Sequence, residues 1–188
     1  MKVGICLPYM KAGLTRDDYL QWFQRVDAGP FHSISCGERV HGPTFDMRVL
    51  LAAAAACTSK VMITPTLYVL PMHSAVQVAK EVASLDILSG GRGQHVCGGP
   101  KLLAGALGPK SIARCAQWAD GLYAWSGNGE QGELANAFQM ADNAWEAAGR
   151  DSKPYRLGGF WCSLADNGAQ RLYDYVYEYL AIAGSEIA

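Results

Sequence analysis

Short runs rich in Val, Ile and Leu alternate along the 188 residues with longer segments of helical period. Parallel strands are joined only by crossovers of a dozen or more residues, usually helices, so this order points to repeated strand–helix units on a parallel sheet. Strands are expected at residues 2–8, 31–36, 61–67, 94–97, 101–107, 121–125 and 155–164, the last interrupted by Gly158 and Gly159. The first helix runs from a Thr15 cap, with Asp17 and Asp18 in its opening turn, to Gly29, and presents Tyr19, Leu20, Phe23 and Val26 as one face. Further helices are expected at 45–58, 74–89, 111–119, 133–148 and 169–183, the third turning Val78, Val82, Leu85 and Leu88 inward. The order breaks once, after residues 94–97: Gly98 to Pro100 leave too little chain for a parallel crossover. Either residues of the natural protein are lacking there, which is the better explanation, or the two flanking segments are not adjacent parallel strands.

Half of the residues are hydrophobic and 18% are charged, which is enough to bury a core. One domain over residues 1–188 is expected, with no linker or charge block to divide it. A net charge of -1 and the lack of a Lys/Arg run argue against nucleic acid and anionic membrane as partners. The opening apolar run meets Pro8 at once and residues 50–57 are too few to cross a bilayer, so a cytoplasmic location is expected. Six cysteines, at 6, 36, 57, 97, 115 and 162, form no Cys-x-x-Cys pair and stand near no histidine at zinc-ligand spacing, so no metal site is expected. Cys6, Cys36, Cys97 and Cys162 fall in strand-like runs and read as small buried hydrophobes.

Several strand tips carry recognisable strings. Ala79-Lys80, Leu85-Asp86 and Ser89-Gly90-Gly91-Arg92 close the third helix; Gly37-Glu38-Arg39 ends the second strand; Thr64-Pro65-Thr66-Leu67-Tyr68 ends the third; Gly98-Gly99 follows the fourth. Gly105-Ala106-Leu107-Gly108 follows the fifth strand, with Ser111 opening a helix behind it. Together these segments resemble the bacterial luciferase-like monooxygenases, a TIM-barrel family that binds flavin mononucleotide (FMN) or the deazaflavin F420. The resemblance implies an α/β fold of the (β/α)8 barrel type. A closed barrel typically needs about 250 residues and seldom fewer than about 200, so the barrel here is expected to be incomplete, with seven strands, no connection between the fourth and fifth, and no last strand–helix unit. Open strand edges would then call for a partner subunit, and a homodimer is expected.

The resemblance also implies roles. Glu38 would face the isoalloxazine, Thr64, Thr66 and Leu67 would lie at its back, where the family has a non-proline cis peptide matching Thr66–Leu67, and Gly98 would stand at the fourth strand tip. Asp86 and Arg92 would tie a helix end to the barrel. Read from the residues, Gly105, Ala106, Leu107 and Gly108 present backbone amides at a helix start, where an anion is favoured and Lys110 adds charge. Tight turns also want glycine on their own account, and it is the resemblance that favours a cofactor phosphate. Trp125, at the sixth strand tip, would flank that phosphate or the ring, or pack at the barrel mouth.

Glu38, His41 and His73 all lie in loops after strand C-termini, the end on which barrel enzymes build their sites. Glu38 and His73 are the expected catalytic proton partners; the alternative for each is a solvated loop residue, or for Glu38 a local ion pair with Arg39. His32 and His95 fall within strands and read as structural. The expected function is an oxidoreductase using reduced flavin or F420 to transfer a hydride or activate oxygen on a small organic substrate. Two other readings remain open: a truncated, catalytically silent flavin-binding or dimerising relative, and a phosphate-binding barrel isomerase.

Overall fold

Residues 1–93, 95–96 and 99–181 are described in a computed structural model. They fall in two compact units, Met1–Pro100 and Lys101–Ala188, each with its own three-stranded parallel sheet.

In the first unit the sheet order is β1 (Gly4–Cys6), β2 (Ser33–Cys36), β3 (Met62–Pro65). Gly4 pairs with Ser33 and Ser33 with Met62, so the three strands start level. Alternation along the strands selects the covered face: Ile34, Cys36 and Ile63 are buried in one core with Phe23, Val26, Leu50, Leu51 and Ala54. Phe23, 1% exposed, contributes roughly 1.5–3 kcal/mol by its burial. These helical partners sit on α1 (Arg16–Ala28) and α2 (Met47–Cys57). The Thr15 side chain accepts from the Asp18 amide at 3.3 Å and the Asp18 carboxylate accepts from the Thr15 amide at 2.8 Å, a reciprocal cap. In α2 the Asp46 carboxylate accepts from the Arg48 and Val49 amides, so the helix begins at Met47 rather than at Phe45.

The third helix, α3 (Ala75–Ser89), ends on Gly90 at φ +69°, a left-handed cap that glycine adopts without strain. Val78, Val82 and Leu85 are half-buried, as expected of an inward face. Leu88 is 60% exposed instead, in the groove between α2 and α3 that Val82 and Leu85 also line. Arg92 then ties three elements together. Its Nε donates to the Ser89 carbonyl at 2.6 Å, and its guanidinium nitrogens donate to Ala55, Thr58 and Val61 carbonyls and to the Thr58 hydroxyl, each at 2.8 Å. The Asp86 carboxylate accepts from the Gly93 amide at 3.3 Å. The structural role expected of both residues is met.

Strand β4 (His95–Val96) pairs antiparallel with β5 (Gly99–Pro100), His95 opposite Pro100. The expected fifth strand, 101–107, is β6 (Leu103–Gly105), which pairs in parallel with the strand at Gly121–Ser126; among the described residues it forms no parallel ladder with β4. The short interval permits a turn back on β4 but no crossover, and among the described residues no helix separates β4 from the next strand. All seven expected strands are present among the described residues, and Gly99–Pro100 adds a further two-residue one.

In the second unit β6 (Leu103–Gly105), β7 (Gly121–Ser126) and β8 (Tyr155–Phe160) lie in that order, Leu103 opposite Gly121 and Gly121 opposite Tyr155. Strand β8 runs straight through Gly158 and Gly159 and stops at Phe160, short of the expected end. Leu122 and Ala124 are buried with Ile112 and Ala116 of the α4 (Pro109–Cys115) region and with Ala141 and Trp145 of α5 (Gln131–Ala147). Helix α4 starts before Ser111 because Gly108 takes the cap position and Pro109 suits the first helical residue. The chain described ends in α6 (Gly168–Ala181). Of the cysteines, Cys36 and Cys115 are buried, whereas Cys6 and Cys162, expected inside, are exposed. Cys6 lies between Ile5 and Leu7, which pack in the core, and so points to the opposite face of its sheet, while Cys162 follows the end of β8.

Candidate active site

The tips of β2 and β3 stay in register past the last strand residues. The Thr66 amide donates to the Cys36 carbonyl at 2.8 Å and the Glu38 amide to the Leu67 carbonyl at 3.1 Å. Gly37 fits between them because it lacks a side chain: a Cβ there would stand 2.7 Å from the Thr66 carbonyl oxygen and 2.6 Å from the Tyr9 hydroxyl. The peptide bond Thr66–Leu67 is cis, the bond singled out by the resemblance. Glu38 faces the loop that follows β3.

Both oxygens of Glu38 are engaged there. Oε2 accepts from the Val69 amide at 2.7 Å, and Oε1 lies 2.6 Å from His73 Nε2. The side chains are 10% and 16% exposed, so the pair sits in a largely water-excluded setting where such a contact is strong. A short turn at Leu70–Met72 carries the chain back toward Glu38, and the His73 amide donates to the Leu70 carbonyl at 3.0 Å. With Nε2 committed to the carboxylate, His73 Nδ1 has no hydrogen-bond partner among the described residues. A carboxylate that fixes an imidazole by one nitrogen leaves the other to take up or release a proton, and stabilises the imidazolium that results.

Next to the pair stands Tyr68. Its ring meets the His73 ring edge-on, centroids 5.5 Å apart at 90°, and its hydroxyl donates to Glu81 Oε2 on α3 at 2.6 Å. Burial, together with the bond to Glu81 and that carboxylate's charge, pushes the Tyr68 hydroxyl well above its usual range, so it remains protonated. Glu81 in turn pairs with Arg48 at 3.4 Å, and Arg48 with the cap residue Asp46 at 2.8 Å. The sequence reading overlooked Tyr68, Glu81 and Arg48. An aromatic hydroxyl directly after the strand tip, followed 13 residues later by a helical carboxylate, was the available signal.

Thr64 belongs to the same strand end. Its hydroxyl oxygen is buried and has no hydrogen-bond partner among the described residues, an acceptor and donor left open beside Thr66 and Leu67. Such an orphan fits a polar ligand lying against β3. Gly98 is outside the described residues, and Leu67 is 44% exposed.

The other expected residues lie in the second unit. Gly105 ends β6, Ala106 is 7% exposed, and Leu107 is 75% exposed. The Ser111 hydroxyl donates to the Gly108 carbonyl at 2.8 Å and accepts from the Gly108 amide at 3.2 Å, which closes the turn on itself and removes one of its amides from ligand binding. Trp125 joins an aromatic cluster, 4.9 Å from the Trp161 ring and 6.4 Å from Tyr123. Gly159 makes room for it, since a Cβ there would come within 2.7 Å of the Trp125 ring. Past Trp125, the Ser126 hydroxyl and the Asn128 amide and side chain bind the Glu133 carboxylate, at 2.5, 3.3 and 3.1 Å. The bond from Ser126, followed by that from the Asn128 amide, holds Glu133 below the usual carboxylate range. The polar groups of this strand tip thus already have an anion of the protein's own.

Solved structures with the same fold cover most of the chain. A monooxygenase from Streptomyces bottropensis aligns at 18% identity over 100% of this chain and 80% of its own, with a TM-score of 0.77. The coenzyme F420-dependent tetrahydromethanopterin reductase of Methanopyrus kandleri aligns at 14% identity over 84% of this chain and 65% of its own, TM-score 0.67. The oxygenating constituent of 3,6-diketocamphane monooxygenase from Pseudomonas putida, solved with FMN, aligns at 14% identity over 98% and 71%, TM-score 0.68. No curated protein matches by sequence. The fold is α/β of the TIM-barrel type and incomplete, as the sequence implied. The sequence model of the luciferase-like monooxygenases matches residues 1–98, more than half of the 188, and the chain belongs to that family.

Proposed function

We propose that this chain is an oxidoreductase that binds F420 or FMN and acts on a small organic substrate, with Glu38 and His73 as its proton-handling pair. The observation that carries the reading is the 2.6 Å contact between the Glu38 carboxylate and His73 Nε2 at the tips of β2 and β3. Structural relatives that depend on F420 or were solved with FMN support the cofactor class. The bound cofactor would supply the two-electron chemistry. In this reading Thr64, Thr66 and Leu67 of the first unit hold the ring from the β3 side and Glu38 bounds it from β2; within the second unit the 105–108 turn offers the amides of Gly105, Ala106 and Leu107 to a phosphate, that of Gly108 being engaged by Ser111.

Glu38 fixes the His73 imidazole through Nε2, so that Nδ1 takes a proton from a substrate oxygen or returns one to it. Val69 keeps the carboxylate in place through its amide, and the low exposure of the pair excludes water from the transfer. A single domain over residues 1–188, a cytoplasmic location and a homodimer belong to the same proposal. The antiparallel return of β5 on β4, where the family barrel would cross over, favours a second reading: a relative that binds flavin without turnover.

The test is absorbance followed by turnover. The protein reconstituted with each cofactor should show a flavin or deazaflavin band that bleaches on reduction, and Glu38→Gln and His73→Gln should each lower turnover by roughly 10²- to 10⁴-fold with the band retained. A band without turnover in the unaltered protein supports the second reading. Full turnover in either variant removes the pair from the mechanism.

A further inference from the structure

We infer that Glu81, on α3 and outside the reacting pair, is a positioning residue that sets the orientation of His73 through Tyr68; the inference rests on the proton role just given to Glu38 and His73. The contacts form one connected series. Asp46 holds Arg48 at 2.8 Å, Arg48 reaches Glu81 at 3.4 Å, Glu81 accepts the Tyr68 hydroxyl at 2.6 Å, the Tyr68 ring stands edge-on to His73, and His73 meets Glu38 at 2.6 Å.

Each contact is needed by the next. A single bond to Glu38 fixes the His73 ring at Nε2 but leaves it free to pivot about that bond, since Nδ1 has no partner among the described residues. The Tyr68 ring, meeting it edge-on, supplies the second constraint. The Tyr68 ring packs against the core of the first unit, and the Glu81 carboxylate anchors its far end. Arg48 aims the carboxylate, and Asp46 holds Arg48 in turn. Tyr68, Glu81 and Arg48 also line a cavity of about 450 Å³ between α2 and α3.

The prediction is read on the histidine rings of the full 188-residue chain without cofactor, by long-range proton–nitrogen NMR, with the His73 signals assigned by their loss in His73→Gln. The unaltered protein should show His73 in one tautomer, protonated at Nε2. Glu81→Gln, whose amide oxygen still accepts from Tyr68, should keep that pattern. Glu81→Leu and Tyr68→Phe should each keep that tautomer, which Glu38 sets, but shift the His73 ring-proton signals as the ring pivots away from its edge-on place against residue 68. Tyr68→Phe removes one oxygen from a side chain that is not fully buried and is the deciding variant if Glu81→Leu fails to fold. A His73 spectrum unchanged in Tyr68→Phe, or one already averaged in the unaltered protein, overturns the inference. The readout needs neither cofactor nor turnover, so a wrong assignment of the proton role appears separately, as activity retained in Glu38→Gln.

Discussion

His73 and Glu38 stand 35 residues apart in sequence, and what joins them is local: a glycine that permits β2 to pass under the β3 tip, and a short turn at Leu70–Met72 that returns the chain. A second carboxylate does comparable work far from the site. Asp27, at the end of α1, accepts from the Ser59, Lys60 and Val61 amides at 2.9, 2.8 and 3.1 Å and from the Ser59 hydroxyl at 2.9 Å, fastening α1 to the start of β3. Burial alone raises this carboxyl, but the bonds from Lys60, Ser59 and Val61 outweigh it and bring it down to about 2. The folded value lies below the unfolded one of about 3.9, so the stabilisation is present above pH 4 and is lost as pH falls toward 2. Asp27→Ala should lower the unfolding free energy at neutral pH by about 2 kcal/mol. Denaturant melts of both proteins should show that gap closing between about pH 4 and 2; a gap that stays constant across this interval contradicts the assignment.

Among the elements, α3 matters most to the account, because it packs loosely yet carries Glu81 and ends in the Arg92 clamp. Arg92→Ala removes five hydrogen bonds at once and frees the carbonyl ends of α2 and α3. The expected loss is about 3 kcal/mol, given that such contributions do not add, and Arg92→Lys should recover little because an ammonium cannot fork to carbonyls of two elements. Thermal melts check this, and a loss below about 0.5 kcal/mol would assign the clamp no energetic role. The elements themselves were legible because their signals are local: Thr15 and Asp18 cap α1, Gly90 stops α3, and apolar spacing places Phe23 and Val26 inside. The pairing of β4 was not legible, since a two-residue strand carries no period and its partner depends on how little chain follows it. For the same reason the sequence offered Glu38 and His73 as separate candidates: nothing in their spacing says that they touch. Trp125 and the 105–108 turn were correctly placed at strand tips, but the bonds that Ser111 and Glu133 make there depend on side-chain geometry, which composition does not encode.

At the scale of the whole molecule, the central claim is that this chain, with its short β4–β5 return, still binds the cofactor of its family. A ligand that binds only the folded protein raises its stability by about 2.7 kcal/mol at a hundred times its dissociation constant. For a protein of this size that corresponds to a rise in melting temperature of roughly 5–10 °C. The most direct measurement is an equilibrium titration of the purified 188-residue chain with FMN and, in parallel, with F420, followed by cofactor fluorescence and by melting temperature. Saturable binding of one of the two with a rise in melting temperature of that size is the predicted result. No change in fluorescence or melting temperature with either cofactor would contradict the account.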